Sequence, residues 1–131
     1  MADPSAFALT NEDMGDDVRV LAVRGDADRF RVDAVNRAIQ EARDDGRDVI
    51  VDLSETSYLD SSMLAALVGA SEEGRRRAEA LVILLETPRL RRAFEMKGLQ
   101  SVLSVANSRD QALELLAGRD EHADEPTPEQ G

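Results

Sequence analysis

Hydrophobic residues in this chain fall into two patterns: short, nearly continuous apolar runs, and longer stretches with apolar residues three and four apart. Residues 18–24 (VRVLAVR), 48–53 (DVIVDL) and 81–85 (LVILL) are of the first kind. Their length and branched aliphatic content predict strands. The last two runs are apolar on both faces, as expected of strands in the middle of a parallel sheet. Residues 30–45 are of the second kind. Val35, Ala38, Ile39 and Ala42 recur at i, i+3, i+4 and i+7, and Gly46 stands where a helix would stop.

Weaker signals fill the gaps. Residues 7–14 read as an edge strand that turns at Gly15-Asp16-Asp17, and Gly25 is expected to end the strand over 18–24. Residues 54–57 read as a polar connection. Residues 63–68 open an apolar helix that becomes charged over 71–77. Thr87-Pro88 reads as a cap followed by Pro at the first helical position, with a stop near Gly98. Residues 102–105 predict a short last strand. Ser108 and Gln111 have capping-box spacing before a helix with Ala112, Leu115 and Leu116 inward, ending at Gly118. The order β-β-α-β-α-β-α-β-α predicts an α/β domain over residues 1–118, with a mixed sheet of about five strands packed with about four helices. Residues 119–131 are acidic, contain proline and lack any apolar side chain larger than Ala, which predicts a disordered tail.

Composition narrows the function. The 131 residues include 16 basic and 27 acidic side chains, for a net charge of −11. Such a chain repels phosphate backbones and anionic bilayers, so neither nucleic acid nor direct membrane binding is expected. There is no cysteine and a single histidine, His122, which removes thiol chemistry and any site built on two imidazoles. A Ser-His-Asp triad would have to draw its base from the tail. Catalysis by this chain is therefore not expected, nor is a cofactor. Without a secretory start or a long apolar run, the expected location is the cytoplasm.

Three groups of residues could carry chemistry. Asp60-Ser61-Ser62 lies where a connection meets the helix over 63–68. Asp and Ser there satisfy free amides as caps, and a serine at a helix start is also a tolerant place for a phosphate. Asp52, at a strand exit, and Thr87, after the next strand, sit where a phosphoacceptor receiver would want them. Against that reading, Ala106-Asn107 follow the last strand and no Lys is present there. Arg75-Arg76-Arg77 with Arg89, Arg91 and Arg92 are interleaved with Glu72, Glu73, Glu79, Glu86 and Glu95, as on solvated helix faces.

The stretch VIVDLSETSYLDSSMLAALVGA resembles the signature of STAS domains, particularly bacterial anti-sigma-factor antagonists. Gly25-Asp26-Ala27-Asp28 upstream resembles that family's Gly-x-x-Asp, and LVILLETPRLRRAFEMKGL downstream resembles its fourth strand and third helix. The resemblance implies a single STAS-like domain and a partner switch. Ser62 would be the phosphoacceptor, Asp60 and Ser61 would flank and cap, and Asp28 would lie on the same face. The implied partner is an anti-sigma factor that is also a serine kinase, with a phosphatase resetting the cycle; ATP would belong to the kinase. Met63 stands where the family usually has Gly, and it is counted with Asp28, Asp60, Ser61 and Ser62 as a partner-binding residue. The same fold also serves as a scaffold or as an accessory subunit of a larger assembly, such as a stress-signalling complex or a lipid-transport ATPase.

Overall fold

Six strands and four helices make up the fold in the computed structural model, which describes residues 6–123. In chain order they are β1 (Ala8–Met14), β2 (Val18–Ala27), α1 (Val32–Asp44), β3 (Asp48–Asp52), β4 (Thr56–Leu59), α2 (Ser61–Arg76), β5 (Leu81–Leu84), α3 (Pro88–Met96), β6 (Ser104–Ala106) and α4 (Arg109–Ala123). Short 3-10 turns cover Arg29–Arg31 and Leu99–Ser101. The sheet order is β1-β2-β3-β5-β6, with β1 antiparallel to β2 and the remaining pairs parallel. The two continuous apolar runs are thus neighbouring central strands, as their two-sided apolarity predicts.

Alternation along each strand splits the core into two layers. Leu21 and Val23 of β2, Val49 and Val51 of β3, and Leu81 and Ile83 of β5 face α1, α2 and α3, which contribute Val35, Ile39, Ala42, Met63, Leu64, Leu67, Leu90 and Phe94. Val18, Val20, Ile50, Val82, Leu84 and Ala106 point the other way, onto Ala112 and Leu116 of α4. Each buried aliphatic side chain contributes about 1.5–3 kcal/mol. The Arg109 guanidinium holds both oxygens of Glu12, at 3.1 and 3.2 Å, tying α4 to β1 and lowering the Glu12 pKa.

Several local expectations change. Gly25 does not end β2. It takes a left-handed conformation (φ 80°) at a register shift, and the strand continues to Ala27. A bulge of this kind re-aims a strand: pairing with β3 ends at Ala22 and pairing with β4 begins at Gly25. β4 itself replaces part of the expected polar connection. It is anchored by the buried Thr56, whose hydroxyl donates to the Val23 carbonyl at 2.7 Å. α1 starts at Val32, and Phe30 lies outside it with 75% of its surface exposed. β6 begins at Ser104 because the 3-10 turn and Val102 precede it. Thr87 precedes α3 as expected, but its hydroxyl donates to the Ser54 carbonyl instead of capping the helix. Ser108 does cap, accepting from the Gln111 amide at 3.1 Å. In α4, Leu115 is exposed while Ala112 and Leu116 are buried, and the helix passes through Gly118 to Ala123. The acidic tail expected over 119–131 therefore begins inside the helix, and its remainder, 124–131, lies outside the described residues.

One buried cation escaped the apolar pattern. Arg43 of α1 is 4% exposed, donates to the Ala70 carbonyl at 2.7 Å and pairs with Glu79 at 3.4 Å. Burial pulls its pKa below the ordinary arginine value, and Glu79 pushes back. Space for the guanidinium depends on Gly74, where a Cβ would collide with Arg43 Nη2 and lie 2.8 Å from the Glu79 carbonyl. Gly74→Ala is therefore expected to cost about 2 kcal/mol, the range of an overpacked core. Gly69→Ala, on the same helix with nothing within 4 Å of its Cβ, should stabilise by up to about 1 kcal/mol. Urea unfolding of the two variants checks the contrast; equal midpoints would refute it.

Candidate functional site

The end of β2 and the end of β4 run side by side, Asp26 against Tyr58 and Ala27 against Leu59. Both strands then leave the sheet together. β2 runs into the 3-10 turn Arg29–Arg31, and β4 runs through Asp60 into α2. Each exit begins with an aspartate in extended conformation, as helix caps require. Asp28 Oδ1 accepts from the Phe30 amide at 3.0 Å. Asp60 Oδ1 accepts from the Met63 amide at 3.0 Å, capping α2.

The second oxygen of Asp60 does something local sequence does not show. Asp60 Oδ2 accepts from the Arg29 amide at 2.8 Å, so one carboxylate bridges the two exits. The backbone closes the same junction, with the Asp60 amide 3.4 Å from the Ala27 carbonyl. Asp28 and Asp60 are in this way brought together, with Ser61 and Ser62 exposed as the first two residues of α2.

Met63 departs from the expected placement. It is 1% exposed and packed in the core with Leu64 and Leu67. α2 packs Met63, Leu64 and Leu67 into the core, which turns its third residue inward. Met63 is therefore a core residue and not a surface contact, and its bulk does not cover the helix start. Downstream of Ser62 the exposed residues of α2 include Ala65 and Gly69, so the surface there is shallow and open to close approach.

Chemically, the helix start presents two exposed hydroxyls to solvent beside amide groups that favour negative charge. Such a place accepts a phosphate without unfolding the helix. Asp52 has a local role instead: it accepts from the Ser54 amide at 2.9 Å, and Ser54 Oγ bonds Glu86 at 3.1 Å. Arg76 and Arg77 pair with Glu73 at 3.3 and 3.7 Å on an exposed face. Among the described residues no group of three or more acidic or imidazole side chains is placed to hold a metal ion, and no helix is long and apolar enough to cross a membrane. Sequence reasoning missed Arg29 and Phe30. The amide of Arg29 has no side-chain signature, and Phe30 reads as the first apolar residue of a helix.

A family model described as "Mlab, STAS domain" matches residues 10–115. The anti-sigma-B factor antagonist of Listeria monocytogenes is 34% identical over 86 residues, 65% of this chain and 75% of that protein. The one of Staphylococcus aureus is 33% identical over 84 residues, 63% and 78% of the two chains. Among solved structures, an anti-sigma factor antagonist from Mycobacterium paratuberculosis superposes with a TM-score of 0.74 at 25% identity, covering 88% of this chain and 97% of that one. SpoIIAA in its unphosphorylated form shares the fold, with a TM-score of 0.67 at 23% identity over 85% and 97% of the chains.

Proposed function

The chain belongs to the STAS-domain family of anti-sigma-factor antagonists, and from that premise we propose that it is a binding switch controlled by phosphorylation of Ser62. In its unmodified form it binds an anti-sigma factor that is also a serine kinase, and so frees the sigma factor in the cytoplasm. The kinase supplies ATP and transfers a phosphoryl group to Ser62; the complex separates, and a phosphatase restores the hydroxyl. Asp28, Asp60, Ser61 and Ser62 make up the partner-binding site, the serines facing the partner and the two carboxylates, bonded to the Phe30, Arg29 and Met63 amides, holding that surface in place. The chain itself takes no cofactor and catalyses nothing in this scheme, and its net charge of −11 sets it against nucleic acid as a partner.

The observation that carries the reading is the exposed Ser62 at the second position of α2, beside the doubly bonded Asp60 and with Met63 turned away into the core. A kinase can reach that hydroxyl, and a phosphate there changes the surface and not the fold. Incubation with the cognate anti-sigma factor, ATP and Mg²⁺ should add one phosphoryl group, mapped to Ser62 by mass spectrometry, and should dissolve the complex. Modification at another residue, or a complex indifferent to ATP, overturns the reading.

A second reading has one specific observation in its favour. The matching family model is described as "Mlab, STAS domain", with no mention of an anti-sigma factor. In that reading the chain is a scaffold or an accessory subunit of a larger assembly and stays bound whatever the ATP concentration. The same incubation separates the two.

A further inference from the structure

Of the chain's three phenylalanines, Phe94 is buried in the core and Phe7 packs against it, but Phe30 is 75% exposed. A lone exposed apolar residue is ordinary. Phe30 differs in how firmly its turn is held. Its own amide donates to Asp28 Oδ1 at 3.0 Å, and the Arg31 amide donates to the Asp28 carbonyl at 2.9 Å. The preceding amide, of Arg29, is bound by Asp60. On either side, the Arg31 guanidinium lies 4.8 Å from the Phe7 ring and the Arg29 guanidinium 4.8 Å from the Phe30 ring. The turn has no buried residue of its own, so its order comes from these bonds and not from the core.

We propose that Phe30 is an apolar anchor for the anti-sigma factor and that Asp60 is the residue that positions it, an inference that rests on the function proposed above. The occupant is a pocket on that partner, because the anchor is continuous with the surface around Ser62. The carboxylate that caps the Ser62 helix also binds the amide next to Phe30, which places hydroxyl and ring on one braced unit. An aromatic side chain on a backbone already held in place leaves only its own two torsions to be fixed on docking, which favours a single side chain dominating an interface. Arg29 against one side of the ring, with Arg31 on the same turn, sets positive charge beside Asp28 and Asp60.

The test uses the full chain and the same purified anti-sigma factor, with binding measured by calorimetry. Phe30→Ala should melt as wild type does and lower affinity about thirtyfold, the size of an interface hot spot. Phe30→Leu should recover affinity to within about fivefold of wild type, since an apolar side chain of similar reach still fills a pocket. Asp60→Asn keeps one acceptor oxygen, and Asn is itself a good cap. It should therefore keep α2 but release Arg29, whose amide should exchange with solvent about fivefold faster while the Leu64 amide does not change. Its affinity should fall about tenfold, and Asp60→Asn with Phe30→Ala should be within about twofold of Phe30→Ala by itself, because both act through one anchor. Affinity of Phe30→Ala within about twofold of wild type, or losses that multiply in the double variant, would overturn the proposal. If the wild-type chain binds no anti-sigma factor, the proposed function falls and the anchor with it, while exchange of the Arg29 amide still reports on the brace.

Discussion

Phosphorylation of Ser62 is expected to lower affinity for the anti-sigma factor about a hundredfold, with little change in the stability of the free domain. A phosphate brings about −1.5 to −2 charge and three strong acceptor oxygens. It would be placed on an exposed residue next to Asp60, with Asp28 across the bridged junction, in a chain already at −11. Whatever pocket receives the neutral hydroxyl must then desolvate a dianion, and misplaced charge at an interface costs several kcal/mol. The fold is spared because helix starts stabilise negative charge by about 0.3–1 kcal/mol. Ser62→Ala should bind within about threefold of wild type, and its complex should survive ATP and Mg²⁺, since a small exposed hydroxyl adds little contact energy of its own. Ser62→Asp should fall between, near a tenfold loss, because one carboxylate carries less charge and fewer oxygens. The Ser62→Asp penalty should shrink as salt is raised, as it does for charges near a surface. Calorimetric titration of the three forms at two salt concentrations checks the series. Ser62→Asp binding as tightly as wild type would sink it and leave the assembly-subunit reading in place.

Met63→Ala is expected to destabilise the domain by about 3 kcal/mol, in the middle of the range for large-to-small core substitutions. For a domain of this size that corresponds to a fall of roughly 10 °C in melting temperature. The side chain is 1% exposed among Leu64, Leu67 and the sheet, so truncation leaves a cavity that the surrounding strands cannot fill without moving. Met63→Leu conserves volume and should cost less than about 1.5 kcal/mol. Partner affinity, measured well below the melting transition, should be that of wild type for both variants. The opposite pattern, stability unchanged and binding lost, would put Met63 on the surface and favour docking through an apolar patch.

Residues whose role is local were legible before any fold was known. The apolar runs of β3 and β5, the i, i+3, i+4 stripe of α1, the Ser108 cap and the Asp60-Ser61-Ser62 helix start depend on consecutive side chains and their own backbone, and the structure has them where the pattern puts them. Ser62 could be singled out because capping chemistry and family resemblance fall on the same few residues. Met63 was misjudged because one position in a helix has no intrinsic face; the phase is set by which neighbours the sheet buries.

What tertiary structure decided is everything that needs a second segment. β4 is a strand because β2 bends at Gly25 to meet it; by itself, residues 56–59 carry no strand pattern. Arg43 is tolerated in an apolar stripe because α2 offers the Ala70 carbonyl and the gap at Gly74, with Glu79 beyond it. The second oxygen of Asp60 finds the Arg29 amide across thirty-one positions of sequence, and that bond makes one surface of two loop ends. Periodicity and capping are short-range, so a single sequence carries them openly. Hydrogen bonds between distant amides and carboxylates, and the phase of a helix against a sheet, are fixed only when the layers close and unpaired groups must find partners.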